Sequence, residues 1–386
     1  MNLKNTALAL CLTAALPGAL LAQKNAPPAH PIPHIDHVFV IMMENHAYSE
    51  IFPNANAPFI NSYAITVNSA SNYYGVGHPS LTNYLETVGG SNFGVVNDNS
   101  PDWHNTTCVS NISLNAPALE GAPNICPIAG AGLDAATPAV DTTNEGSPDS
   151  PVYNDPYAPA QTVSETIADQ LVAAGKTWKS YQENLPPYGA DWVNNSDGLI
   201  SNITAPEPGM PKLYAVKHNP FVYFKNIQDG TNPSLSLKQI VGFDRLWADI
   251  KGNSIPNFSY IVPNQCHDQH GRGASEMGTG CNVDQNDIAQ GDAALKTIIS
   301  TIKSAPFWSH GNNVIVTVWD ENDYGTEPNQ VVMLVDNNWG LHGVTSNVKY
   351  NHFSLLKSIE AGFNLPYLNH AADSTTPLMT DLFARH

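Results

Sequence analysis

Glu44, Asn45, Asp320 and Glu321 offer hard oxygen donors, and each pair directly follows an apolar run, His37-Val38-Phe39-Val40-Ile41-Met42-Met43 in one case and Asn313-Val314-Ile315-Val316-Thr317-Val318-Trp319 in the other. Donors of this kind suit a divalent cation that positions a phosphoryl group. Between the pairs lies His78-Pro79-Ser80-Leu81-Thr82-Asn83, which supplies a hydroxyl. A serine hydroxyl is a poor nucleophile at its free pKa and needs an adjacent base or a metal. No histidine-based triad is evident from the spacing, so metal coordination is the better explanation for an activated Ser80. The expected chemistry is phosphoester hydrolysis through a covalent phosphoserine that water later cleaves. Plainer readings exist, because carboxylates after strands can cap helices or face solvent, and His-Pro-Ser also suits an ordinary turn.

The elements that must position these groups read as an α/β fold. Each run is continuously apolar after its first residue, as expected of a strand buried on both faces of a mostly parallel sheet. Ligands of such sheets bind in the crevice beyond the carboxyl ends of the strands, where both acidic pairs fall. Helical spacing appears at Val163 to Gly175, with Ile167, Leu171 and Val172 on one face and Gly175 as a stop, and again at Ile288–Ile302 and Phe353–Phe363.

The chain resembles the phosphoesterase family of bacterial phospholipases C and acid phosphatases, within the alkaline phosphatase superfamily. The motifs that carry the resemblance are HVFVIMMENHAYSEIF (37–52), GHPSLTNY (77–84), TIADQLVAAGKTWKSY (166–181), KHNPFVYF (217–224), PNFSYIVPNQCHDQH (256–270) and VIVTVWDEND (314–323). They spread over nearly the whole chain in an order similar to the family's. The resemblance implies an alkaline phosphatase-like sheet flanked by helices, with irregular loop excursions over the active site. It implies a divalent metal held by Glu44, Asn45, Ser80, Asp320 and Glu321, with Ser80 as nucleophile and Asn83 on the phosphate. Thr82 stands where many members carry proline, and Glu321 stands where some carry aspartate. His46 to Phe52 departs from the Arg-Ser-Phe-Asp pattern of the phospholipase branch, which favours a phosphatase.

His78, His218, His267, His270 and His352 lie in or near these motifs, among fourteen histidines in all. They are expected to contact the substrate. Sixteen Lys plus Arg against thirty-four Asp plus Glu leave a net charge of −18, so a phosphate meets overall repulsion that local cations must offset. Histidine does so only below about pH 6.5, which points to an acidic optimum. Any one of these rings could equally be an ordinary hydrogen-bonded histidine. The cluster Cys266-His267-Asp268-Gln269-His270 resembles the Asp/His group of two-metal relatives, with either Asn264 or Asp268 in the carboxylate position.

Residues 1–22 read as a secretory signal peptide, since the apolar stretch Ala7 to Leu16 is followed by Pro17-Gly18 and small residues. It is too short for a spanning helix, so stable membrane insertion is not expected. Residues 23–33 form a Pro-rich linker and 34–386 a single catalytic domain. Removal of Cys11 leaves four cysteines in a secreted or periplasmic protein, and the nearest-neighbour pairing is Cys108 with Cys126 and Cys266 with Cys281, one of three connectivities. A thiolate zinc site lacks any C-x-x-C spacing. Residues 97–162 are rich in Pro, Gly, Ala, Asn and Asp and read as an irregular excursion, either a cap over the site or a disulfide-stapled surface loop. Sequons at Asn105, Asn111, Asn194, Asn202 and Asn257 leave glycosylation open.

The leading expectation is a secreted acid phosphatase acting on a small phosphoester, with the metal's identity open. A phospholipase C type phosphodiesterase acting on phospholipid is the alternative. A catalytically inactive binding protein of the same fold is a third reading, disfavoured by the intact set of acidic and serine residues. Nucleic acid is not an expected partner, because no basic stripe is present.

Overall fold

The computed structural model describes residues 30–95, 97–98, 101, 165–185, 189–190, 195–196, 213–271, 286–323 and 328–383. Eight strands form the main sheet: β1 His37–Met43, β2 Asn68–Ala70, β3 Trp178–Gln182, β4 Ile240–Gly242, β5 Phe258–Val262, β6 Asn313–Trp319, β7 Met333–Asn337 and β8 Thr345–Ser346. Their order is β8-β2-β7-β6-β1-β5-β3-β4. From β6 to β4 neighbouring strands run parallel, while β7 is antiparallel to both β6 and β2. The sheet is thus mixed and mostly parallel, as the apolar runs imply.

Both runs behave as fully buried strands. Val38 to Met43 of β1 and Val314 to Trp319 of β6 are no more than 1% exposed, and the two strands pair in register from His37↔Asn313 to Met43↔Trp319. Each such aliphatic side chain removed from water contributes about 1.5–3 kcal/mol relative to exposure. Because β1 and β6 end at the same level, Glu44 and Asp320 emerge side by side at the carboxyl edge. This juxtaposition is a consequence of register alone.

Helices cover the sheet. The relevant ones are α1 Ser80–Gly89, α2 Ile167–Ala173, α3 Asp287–Ser304 and α4 His352–Gly362. The last three match the expected helical spacings within a few residues. In α2, Thr166 accepts from Ala168 N and Asp169 reaches back to Thr166 N, and Gly175 follows with φ +69° in the left-handed region that favours glycine. Helix α1 is buried along all ten residues and packs on α4. Among the described residues no helix is long and apolar enough to cross a membrane.

Residues 1–29, the excursion at 97–162 apart from Asn97, Asp98 and Pro101, Cys108, Cys126, Cys281 and the sequons at Asn105, Asn111, Asn194 and Asn202 lie outside the described residues. Cys266 is disulfide-bonded.

Candidate active site

The site forms where the carboxyl ends of β1, β5 and β6 meet the first turn of α1. The chain turns sharply after β1, with Asn45 at φ 49°, a left-handed conformation that asparagine tolerates better than most residues. This turn brings Asn45 N within 3.2 Å of Asp320 Oδ1, while Glu44 N donates to the carbonyl of Asp268 at 2.8 Å. Two side-chain oxygens are left over. Asn45 Oδ1 and Asp320 Oδ2 are buried and have no hydrogen-bond partner. Buried polar atoms are rarely left unpaired, and two oxygens orphaned in one place fit a cation.

Ser80 opens α1 directly after Pro79, so its hydroxyl lies at the positive end of a buried ten-residue helix. Ser80 Oγ donates toward two carboxylates, Glu44 Oε2 at 3.1 Å and Glu321 Oε1 at 3.2 Å. Glu321 is fixed by two further donors, His78 Nδ1 at 2.8 Å and Asn83 Nδ2 at 3.1 Å, both on its Oε2. Asn83 is itself held, since its Oδ1 accepts from Val76 N and Gly77 N and its Nδ2 also donates to Gly77 O. The spacing Ser80-Leu81-Thr82-Asn83 is one helical turn, and this is why hydroxyl and amide face the same glutamate. Thr82 closes the preceding bend, its Oγ1 donating to Pro79 O at 2.8 Å.

His218 lies between two buried carboxylates, with Nε2 3.0 Å from Glu44 Oε1 and Nδ1 3.3 Å from Asp268 Oδ2. Its ring stacks on Tyr84 of α1 at 5.2 Å. Ligand atoms of Glu44, His218 and His270 lie within 4.8 Å of one another, close enough to hold a metal ion. The sequence points to substrate contact for His218 and to either substrate or a second metal for His270; the geometry puts both beside Glu44.

Four carboxylates within this small volume, Glu44, Asp268, Asp320 and Glu321, are at most 1% exposed. Burial raises the pKa of each, and Glu44 reaches about 8. Mutual repulsion adds to this, Glu321 acting on Glu44 and Glu44 acting on Asp268 and Asp320. Lys217 is the cation that answers part of this charge. Its Nζ donates to Asp98 Oδ2 at 2.8 Å and lies 3.2 Å from His270 Nε2. Burial pulls its pKa down, but Asp98, Glu44 and Glu321 outweigh that and leave it above the usual lysine value. Asp98 also accepts from Leu81 N, tying the lysine to the start of α1. Lys217 and Asp98 were not singled out from sequence. Lys217 opens the motif KHNPFVYF, which was the one signal that could have found it.

Three sequence-predicted residues stand apart from this constellation. His267 pairs with Glu183 at 2.8 Å and its side chain is one-third exposed; burial lowers its pKa, and the Glu183 bond more than restores it. Asn264 builds the turn, its Oδ1 accepting from Cys266 N and His267 N and its Nδ2 donating to Asn184. Of the alternatives at the carboxylate position, Asp268 is therefore the one that faces the site. His352 lies behind Asp320, fully buried, with Nε2 donating to the Asp320 carbonyl at 2.6 Å and Nδ1 3.0 Å from Tyr73 Oη. A carbonyl only accepts, so Nε2 carries the proton and Nδ1 accepts from the tyrosine. With both nitrogens used, His352 holds the Asp320 backbone.

Burial lowers the His352 pKa from 6.5 to about 4. Below pH 6.5 the unfolded chain takes a proton that the folded chain refuses until about pH 4, so stability falls as pH drops through that window and the penalty stays constant below it. The loss is on the order of 3 kcal/mol. With divalent ion present, so that the carboxylates of the site do not titrate, denaturant titrations of His352→Gln should show a shallower fall between these pH values than the unchanged protein, and parallel curves would refute the assignment.

The model of the Phosphoesterase family matches residues 50–366. The chain is 22% identical over 351 residues to a protein named acid phosphatase from Aspergillus fumigatus, covering 88% of this chain and 59% of that one. It is 24% identical over 301 residues to a phosphate-repressible acid phosphatase from Penicillium chrysogenum, covering 77% and 52%. The chain thus spans less than two thirds of the length of these relatives. Among solved structures, a protein in the alkaline phosphatase superfamily from Vibrio parahaemolyticus is similar at TM-score 0.48 and 11% identity, over 93% of this chain and 74% of that one. With most of its length matched by the family's own pattern, and with the acidic pairs and Ser80 gathered at one sheet edge, the chain belongs to the Phosphoesterase family.

Proposed function

We propose that the chain is an exported, metal-dependent phosphomonoesterase of the acid phosphatase kind, working through a phosphoserine at Ser80. The observation that carries this reading is the position of Ser80 Oγ at a buried helix N-terminus, within 3.2 Å of both Glu44 and Glu321. Glu44, Asn45, Asp320, Glu321 and Ser80 would hold the divalent ion, and the orphaned oxygens of Asn45 and Asp320 fit one. When bound, the ion lowers the hydroxyl pKa and neutralises charge on the transferring phosphoryl group.

The protein's own groups do the rest. Ser80 Oγ bonds to phosphorus as the bond to the leaving oxygen breaks, and its proton has carboxylate acceptors at Glu44 Oε2 and Glu321 Oε1. His78 and Asn83 keep Glu321 in place, while the α1 amide dipoles favour the incoming anion. The names of the relatives support acid phosphatase activity. Export through residues 1–22 and a small soluble phosphoester as substrate belong to the same proposal.

Hydrolysis of p-nitrophenyl phosphate and p-nitrophenylphosphorylcholine from roughly pH 4 to 8, bracketing the histidine range, tests it. Monoester cleavage that peaks below about pH 6.5 and vanishes with chelator is expected. Preference for the choline diester would move the assignment to a phospholipase C type enzyme, and no turnover of either would move it to a binding protein.

A further inference from the structure

We infer that Lys217 occupies the place of a second divalent cation, so that the site binds one ion while the side formed by Glu44, His218 and His270 is served by the protein's own ammonium group. This rests on the proposed metal-dependent reading of the site. It concerns how many ions that site takes.

The argument begins with the proton on His270. Its Nδ1 lies 2.9 Å from the carbonyl of Gly271, and a carbonyl only accepts, so Nδ1 carries the hydrogen. In the neutral ring, Nε2 then holds the lone pair. Lys217 Nζ lies 3.2 Å from that nitrogen, and an ammonium only donates, so both contacts are satisfied by one tautomer. If His270 joined Glu44 and His218 around a metal, it would have to do so through the same Nε2 lone pair, because Nδ1 is committed. Lysine and metal therefore exclude each other at His270.

Lys217 is also anchored. Asp98 takes its Nζ at 2.8 Å and takes Leu81 N with the other carboxylate oxygen, which binds the lysine to the helix that carries Ser80. Displacing the ammonium would strip Asp98 of its cation. The two sides of the site differ accordingly. Buried oxygens without a hydrogen-bond partner occur on both sides, Asn45 Oδ1 and Asp320 Oδ2 on one and Glu44 Oε1 and Asp268 Oδ2 on the other, but only the Glu44 and His270 side already contains a fixed positive charge.

The test is an ion count. Protein freed of metal by chelation is titrated with Zn²⁺ alone and read by native mass spectrometry and calorimetry, for the unchanged chain, Lys217→Met, Lys217→Gln and Lys217→Met with His270→Ala. The expected counts are one, two, two and one, and His270→Ala alone, titrated beside them, should bind one. Cobalt absorption in place of zinc should show added nitrogen ligation only in the single lysine variants. A count of one in both single lysine variants, with unchanged melting, would overturn the role of Lys217 and leave the metal reading intact. A count of two in the unchanged chain, falling to one in His270→Ala, would overturn it without relying on any lysine variant folding. No ion bound by any of the proteins would overturn the metal-dependent reading itself.

Discussion

Ser80→Ala is expected to reduce turnover of p-nitrophenyl phosphate by about 10³-fold or more, because removal of a nucleophile eliminates the covalent route. The side chain is small and buried, and its partners are the two carboxylates Glu44 and Glu321. Alanine fills nearly the same space, so folding should survive and the loss should appear in kcat. Far-ultraviolet dichroism and thermal melting of the variant separate the two effects. A variant that keeps its fold and retains more than about a tenth of the activity, a loss below about 1.4 kcal/mol, would remove Ser80 from the chemistry.

The second large effect concerns the acidic cluster and pH. In the metal-free protein Glu44, Asp268, Asp320 and Glu321 have pKa values raised chiefly by burial, with Glu44 near 8. A carboxyl that holds its proton longer in the folded state than in the unfolded one makes stability fall as pH rises from the unfolded value toward the folded one. Between about pH 4.5 and 8, chelated protein should therefore lose stability on the order of several kcal/mol. Bound divalent ion reverses the sign of the local potential and holds the carboxylates deprotonated. The rise in melting temperature on adding Mn²⁺ should accordingly be larger at pH 8 than at pH 5. Asp320→Asn removes one charge and should flatten the chelated curve while shrinking the Mn²⁺ increment. Melting curves that do not respond to the ion at any pH would contradict a metal at this site.

Much of this site was readable in the chain because strand burial and register do the positioning. The runs before Glu44 and Asp320 are apolar on both faces, which identifies central parallel strands and puts the residues after them at the ligand-binding edge. Ser80 and Asn83 were readable because one helical turn separates them. What escaped was decided by tertiary placement. Lys217 reaches the site from a short segment of 3-10 helix that has no periodicity of its own, and its significance comes from Asp98, more than a hundred residues earlier. His352 looks like a substrate contact by residue type and motif, yet Tyr73 and the Asp320 backbone engage both of its nitrogens. Asn264 likewise has an apt side chain, but the following turn uses its oxygen. Residue type names the candidates; only the fold shows which lone pairs remain.

The most direct test of the central claim is to trap the intermediate. Protein mixed with a phosphomonoester in the presence of divalent ion, quenched in acid within one turnover and digested, should give a peptide phosphorylated at Ser80, absent from Ser80→Ala and from chelated protein. Turnover of the monoester with no phosphate on Ser80 at any quench time, or with the label on another residue, would contradict the assignment of Ser80 as nucleophile.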